Sequence, residues 1–123
     1  MSSKPEREGK PLEHIARDLG VGVFRTHVFL CSGPDCISAG EGEAAWKALK
    51  SEIKRRYPDL ARAGIYRTRV KCLRMCTRGP IAVCYPQGIW FREVTASRIP
   101  ELLDWLEEGA RGEHPLQFAR HPL

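Results

Sequence analysis

Residues 65–91, IYRTRVKCLRMCTRGPIAVCYPQGIWF, decide the fold. Ile65 to Lys71 alternates, with Tyr66, Thr68 and Val70 on one side and Arg67, Arg69 and Lys71 on the other, the period-two pattern of a half-exposed strand. That strand runs out at Cys72. Ile81 to Tyr85 and Ile89 to Val94 are two more strand-like runs, and Pro86, Gln87 and Gly88 between them supply the turn chemistry of a hairpin.

Upstream, Trp46, Leu49, Ile53 and Tyr57 fall at i, i+3, i+7 and i+11 within 43–57, one stripe of a helix that Pro58 ends. Before it, Arg25 to Leu30 (RTHVFL) is a β-branched and aromatic strand that stops at Cys31, and Ser32, Gly33, Pro34 and Asp35 form the following loop. Leu12, Ile15, Ala16 and Leu19 recur at helical spacing between Pro11 and Gly20 and predict a short helix. Downstream, Thr95 or Ser97 caps a helix that turns Ile99, Leu102, Leu103 and Leu106 to the core and stops at Gly109. Pro100 fits only its first turn, which favours Ser97 as the cap. Trp46, Trp105 and Leu106 read as core or flanking residues at helical spacing, while Trp90 and Phe91 point to opposite faces of one strand.

The element order is β, α, β, β-hairpin, α, an α/β arrangement around a four-stranded mixed sheet with a short N-terminal helical extension. Two strands flanking a helix run parallel and are joined by a right-handed crossover, so their C-terminal ends share one edge of the sheet. This brings the loop from Cys31 to Cys36 beside the loop from Cys72 to Cys76. We divide the chain into 1–22, a tail and short helix; 23–110, a single domain; and 111–123, a C-terminal tail.

A chain of 123 residues, 42% hydrophobic and 28% charged, is long enough for one globular domain and excludes a two-domain enzyme. Residues 1–20 show no apolar run, so neither a signal peptide nor a membrane-spanning helix is expected. The formal net charge of +5 is unevenly placed: nine cations face only Asp59 between Lys54 and Arg78, and six acids face two arginines between Glu93 and Glu113. Lys54, Arg55, Arg56 and Arg62 read as a solvated helix end. Arg67, Arg69, Lys71, Arg74 and Arg78 stand closer to the cysteine loops, as charge compensation or as a docking surface for an acidic partner. Nucleic acid is a poor fit, because exposed aromatics are not interleaved with the cations.

Five cysteines without an export signal favour metal or redox chemistry over disulfides. Four of them read C-x4-C, 35 residues, C-x3-C. Four thiolates on adjacent loops can hold one tetrahedral ion or one [2Fe–2S] rhomb. Structural zinc prefers a tighter C-x2-C pair, which leaves a zinc-stabilised interaction module as an alternative; a [4Fe–4S] site more often shows C-x2-C-x2-C, and a Rieske-type site needs histidines where His14, His27, His114 and His121 do not stand. A thiol–disulfide oxidoreductase using Cys72 and Cys76 would lack the usual C-x-x-C spacing and leave Cys31 and Cys36 idle. Cys84, inside a strand, reads as a small buried apolar residue.

The run Cys72-Leu73-Arg74-Met75-Cys76-Thr77-Arg78-Gly79-Pro80, followed by a strand, Tyr85-Pro86-Gln87-Gly88 and the pair Trp90-Phe91, resembles the thioredoxin-like [2Fe–2S] ferredoxins over roughly Thr26 to Gly109. The cysteine spacing is also similar to that of the [2Fe–2S] subunit of respiratory complex I and related hydrogenases, whose N-terminal helical extension is much longer. The resemblance implies a thioredoxin-like fold and a one-electron carrier, and the lack of an export signal or a catalytic constellation adds the expectation of a soluble, cytoplasmic protein that is not an enzyme. The resemblance further implies one [2Fe–2S] cluster per chain on Cys31, Cys36, Cys72 and Cys76, a redox partner protein and a homodimer. Arg74 stands where the family usually has glycine, which predicts a loop with no need for positive φ and a cation near the cluster. Cys84 stands where the family usually has an apolar residue.

Overall fold

After a short helix α1 (Leu12–Asp18), the chain forms strand β1 (Thr26–Cys31), crosses over through helix α2 (Ala39–Arg56) and a 3-10 turn (Leu60–Arg62), and returns parallel to β1 as β2 (Ile65–Val70). The computed structural model describes residues 11–31, 39–75 and 77–121. The register runs from Thr26 opposite Ile65 to Cys31 opposite Val70, so both strands end at the same edge, as the crossover argument requires. Strands β3 (Ala82–Tyr85) and β4 (Ile89–Phe91) form the expected hairpin; Gly88 takes φ 69 in its turn and donates its N–H to the Cys84 carbonyl at 2.7 Å. A second 3-10 turn (Ala96–Arg98) leads into α3 (Ile99–Glu107).

The sheet has five strands in the order β2-β1-β3-β4-β5, which corrects the expectation of four. The added strand β5 (Gln117–Arg120) pairs antiparallel with β4 and falls in the stretch read as a C-terminal tail. Gln117, Phe118, Ala119 and Arg120 include no β-branched residue, so propensity hides the strand. Backbone and side-chain anchors hold it instead. The Arg92 N–H donates to the Leu116 carbonyl at 2.9 Å, and the Arg92 guanidinium reaches the carbonyls of Gln117 and Pro115 at 3.3 Å each. Behind them the His114 ring is buried against Phe91 and Trp105, and its Nδ1 accepts the Leu116 N–H at 3.0 Å.

Two further boundaries differ. β4 stops at Phe91 rather than Val94, because Glu93, at φ 53, turns its N–H to the Arg78 carbonyl at 2.8 Å. Ser97 is not the cap of the last helix: a 3-10 turn follows Thr95, and α3 continues from it with Pro100 in its first turn.

One face of the sheet carries Val28, Leu30, Ile65, Ala82, Cys84, Ile89 and Phe91, and these pack with Ala45, Leu49 and Ile53 of α2 and Ile99, Leu102, Leu103 and Leu106 of α3. Each such fully buried Leu or Ile contributes roughly 1.5–3 kcal/mol of transfer free energy. The two helices are clamped together by Arg56, whose side chain is only 11% exposed and is paired with Glu52 at 2.8 Å, Asp104 at 2.8 Å and Glu107 at 2.6 Å. This corrects the reading of Arg56 as part of a solvated helix end; Lys54 and Arg55 are exposed as expected. The opposite face presents half-buried rings: Tyr66 stacks on Phe24 at 5.2 Å, His27 on Phe29 at 4.1 Å, and Tyr85 meets Phe29 edge-on. Among the described residues no helix is long and apolar enough to cross a membrane.

Candidate metal centre

Cys31 is the last residue of β1, with its N–H donated to the Ile81 carbonyl at 2.8 Å and its side chain fully buried. A ladder position of this kind fixes the Cα–Cβ direction of the thiol. A second, smaller apolar cluster surrounds it, built from Cys31 and Ile81 with Val70, Leu73 and Trp90 packed against them. Cys72 lies two residues past the end of β2, in an exposed loop. The parallel register brings the two together: Cys31 Sγ is 3.7 Å from the Lys71 carbonyl oxygen, one residue before Cys72. Cys36 and Cys76, the other two expected ligands, lie outside the described residues.

The loop after Cys72 turns back on it. The Arg74 N–H donates to Cys72 Sγ at 3.2 Å, a contact that fixes the position of the sulfur as a candidate metal ligand. Arg74 reaches this position at φ 68, which corrects the expectation that arginine at a family glycine position signals a loop without positive φ. The left-handed backbone is kept, and the arginine bears its steric cost. Arg78 and Glu93, each at φ 53, are also left-handed and form an ion pair at 3.1 Å. Strained backbone of this sort gathers where the surroundings hold it for a function.

The soft sulfur donors, one rigid and dry, the other exposed and supported by a backbone N–H, fit an iron–sulfur cluster at the surface. Among the described residues no group of three or more His, Cys, Asp or Glu side chains gathers for a metal, so the histidines add no ligand set of their own. His27 is committed to Thr68 Oγ1 at 2.6 Å, and burial lowers its pKa. Cys84 faces the main core from β3, where burial pushes its thiol up to about 11, the behaviour of an inert core residue. Of the expected cations, Lys71, Arg74 and Arg78 are exposed at the loop, Arg69 pairs with Glu43 at 2.6 Å, and Arg67 lies over the Tyr66 ring. Arg92, just past β4, and Phe118, on β5, join this end of the molecule, the latter on a strand that carries no strong sequence signal.

No protein-family model matches the chain. Over 78 residues it is 36% identical to a putative 2Fe-2S ferredoxin of Priestia megaterium, covering 61% of this chain and 58% of that protein. A 2Fe-2S ferredoxin of Clostridium pasteurianum is 42% identical over 33 residues, covering 27% of this chain and 32% of its own length. One from Aquifex aeolicus is 30% identical over 50 residues, covering 41% and 42%. The chain thus spans well under two thirds of the curated relatives it matches. Among solved structures it is similar to the thioredoxin-like [2Fe-2S] ferredoxin from Aquifex aeolicus, with a TM-score of 0.67 at 21% identity over 81% of this chain and 96% of the other. The wild-type crystal structure of that ferredoxin gives a TM-score of 0.64 at 23% identity over 78% and 98%. The fold is thioredoxin-like, as the sequence resemblance implied.

Proposed function

We propose that this chain is a [2Fe–2S] ferredoxin: a soluble cytoplasmic one-electron carrier, not an enzyme, with one cluster held by Cys31, Cys36, Cys72 and Cys76. The observation that carries the reading is the meeting of Cys31, at the end of β1, with the start of the Cys72 loop. Relatives described as 2Fe-2S ferredoxins support the cluster type. When bound, the cluster supplies a site that gains and loses a single electron near the surface. The protein residues hold that site still. Cys31 is fixed by the β1 ladder and packed dry by Ile81, Val70 and Leu73; Arg74 N–H steadies Cys72; and Lys71, Arg74 and Arg78 offset the negative charge of four thiolates. An odd number of cysteines, four of them assigned to iron, suits a reducing compartment.

We also assign it an acidic redox partner, from the cations of the loop, and a homodimer, supported by the half-buried rings of Phe24, His27, Phe29, Tyr66 and Tyr85 on the face of the sheet opposite α2 and α3. The ligand assignment is tested by serine substitution at 31, 36, 72 and 76, one at a time, with the visible and electron paramagnetic resonance spectra recorded after anaerobic purification. Each variant should lose or visibly alter the cluster signal. A variant with an unchanged spectrum removes that cysteine from the set. Reversible one-electron voltammetry of the wild type tests the carrier role, and sedimentation tests the dimer.

A further inference from the structure

Met75, Thr77, Arg78, Ile81, Arg92 and Phe118 line a cleft of about 250 Å3 beside the ligand loop. Its floor is Ile81, 2% exposed and part of the apolar cluster around Cys31. Its apolar walls stand in solvent: Met75 is 39% exposed and Phe118 42%, two of the few large hydrophobics left open on the described surface. Phe118 is backed edge-on by Trp90, which itself packs on the Cys31–Ile81 cluster. Exposed methionine and aromatic side chains over a rigid floor are the composition of an interface centre, not of a solvated loop.

The rim is cationic. Residues 71–81 carry Lys71, Arg74 and Arg78 and no acid, and Arg92 adds a fourth cation from the end of β4. The facing carboxylate is Glu93, paired with Arg78 at 3.1 Å and 3.8 Å from Arg92 Nε. Glu93 balances one of these charges and leaves the surface positive. The segment that builds the rim also holds three non-glycine residues in the left-handed region, Arg74, Arg78 and Glu93. Each costs on the order of 1–3 kcal/mol, a cost that folding alone gives no reason to retain.

Resting on the electron-carrier reading, we propose that this cleft is the docking site for the redox partner, and that the partner is an acidic protein presenting an apolar edge near its own cofactor. Charge complementarity selects the acidic surface and steers it, and Met75, Ile81 and Phe118 take the apolar edge. An occupant of this cleft sits against Met75 and Thr77, the sequence neighbours of Cys76, so docking here brings the two redox centres close. In the transfer step one electron passes from the partner's reduced cofactor to the oxidised cluster, with no bond made or broken. A small anion would use the arginines but not the apolar walls, and nucleic acid would not need a closed apolar floor.

An acidic flavodoxin, whose flavin exposes an apolar edge, is the probe. Binding of the oxidised flavodoxin is measured by calorimetry at low and high ionic strength, and electron transfer from its hydroquinone form by stopped flow. Wild type, Phe118→Ser, Met75→Gln and Arg78→Gln are compared, the last removing a cation without creating a second carboxylate beside Glu93. We expect Phe118→Ser and Met75→Gln to weaken binding about tenfold at both ionic strengths, as interface-centre residues do. Arg78→Gln should slow association roughly three- to tenfold at low salt and little at high salt. No binding by the wild type at low salt, or equal binding by all four proteins, overturns the docking site. So does a Phe118→Ser protein whose only change is its oligomeric state, which would make the cleft a contact between copies. Dithionite reduction monitored by the visible spectrum keeps the two readings apart: a chain with no reducible cluster refutes the carrier itself, whereas reduction intact in every variant confines a binding failure to the docking site.

Discussion

Replacing Arg74 by glycine should do two things at once: raise the stability of the fold and lower the potential of the cluster. The side chain is exposed, its backbone stands at φ 68, and its N–H is 3.2 Å from Cys72 Sγ. A left-handed non-glycine residue costs roughly 1–2 kcal/mol, and part of what glycine recovers is lost to its freer unfolded chain, leaving a gain of about 0.5–1 kcal/mol. For a domain of this size that is a rise in Tm of a few degrees, roughly 2–5 °C. The electrostatic half follows from the charge. A guanidinium taken at ~8 Å from the added electron, acting through solvent of dielectric ~80, interacts with it by about 0.5 kcal/mol. On the one-electron scale of ~59 mV per tenfold this is roughly 20 mV, so Arg74→Gly should lower the potential by about 20 mV and Arg74→Glu by about twice that. Film voltammetry reads the potential and thermal unfolding of the cluster-loaded protein reads the stability. A potential that is unchanged or rises in Arg74→Glu refutes the placement of the cation, and a Tm that falls in Arg74→Gly refutes the strained backbone.

Cys84→Ser should keep the cluster spectrum and lose about 1–3 kcal/mol of stability in urea unfolding, since a polar hydroxyl must then be desolvated in the apolar core between Val28 and Ile89. Because burial raises the Cys84 thiol from 9.0 to about 11, the folded state holds that proton longer than the unfolded one; stability from this group is present below pH 9 and is lost as pH rises toward 11, and native-state alkylation at pH 8 should spare Cys84. His114 has the opposite sign: burial lowers its pKa from 6.5, so its contribution is present above pH 6.5 and is lost as pH falls, with Glu101 working against the shift. Protonated Nδ1 cannot accept the Leu116 N–H, so the protection factors of the Leu116 and β5 amides should fall as pH drops below 6.5 in wild type and lose that pH dependence in His114→Phe. Arg56→Ala, which leaves Glu52, Asp104 and Glu107 without their shared cation, should cost about 2–4 kcal/mol by chemical denaturation, with Arg56→Lys recovering part of it.

The parts of this molecule written in periodic apolar patterns are legible in its sequence. Leu49 and Ile53 of α2, and Ile99, Leu102, Leu103 and Leu106 of α3, announce their buried faces by helical spacing, and the alternation of 65–70 gives β2 its two sides. The approach of Cys31 to the Cys72 loop follows from topology, because two parallel strands joined by one helix must end at the same edge. What escapes the sequence is held by isolated contacts. β5 depends on Arg92, His114 and the edge of β4, none of which marks a strand locally. Arg56 looks like one more cation at a helix end until α3 brings Asp104 and Glu107 to it. Arg74 is the instructive case, since a glycine preference normally signals positive φ, yet the loop keeps that φ with arginine in place. Residue type there reports a charge, and the Cys72–Arg74 hydrogen bond sets the backbone.

The central claim, a [2Fe–2S] cluster on four cysteines, is most directly tested by the iron, labile sulfide and zinc content of protein purified anaerobically from iron-replete cells. Such protein should contain about two irons and two sulfides per chain, with the red-brown absorption of such a cluster. Stoichiometric zinc with no sulfide, in a colourless protein, would contradict it.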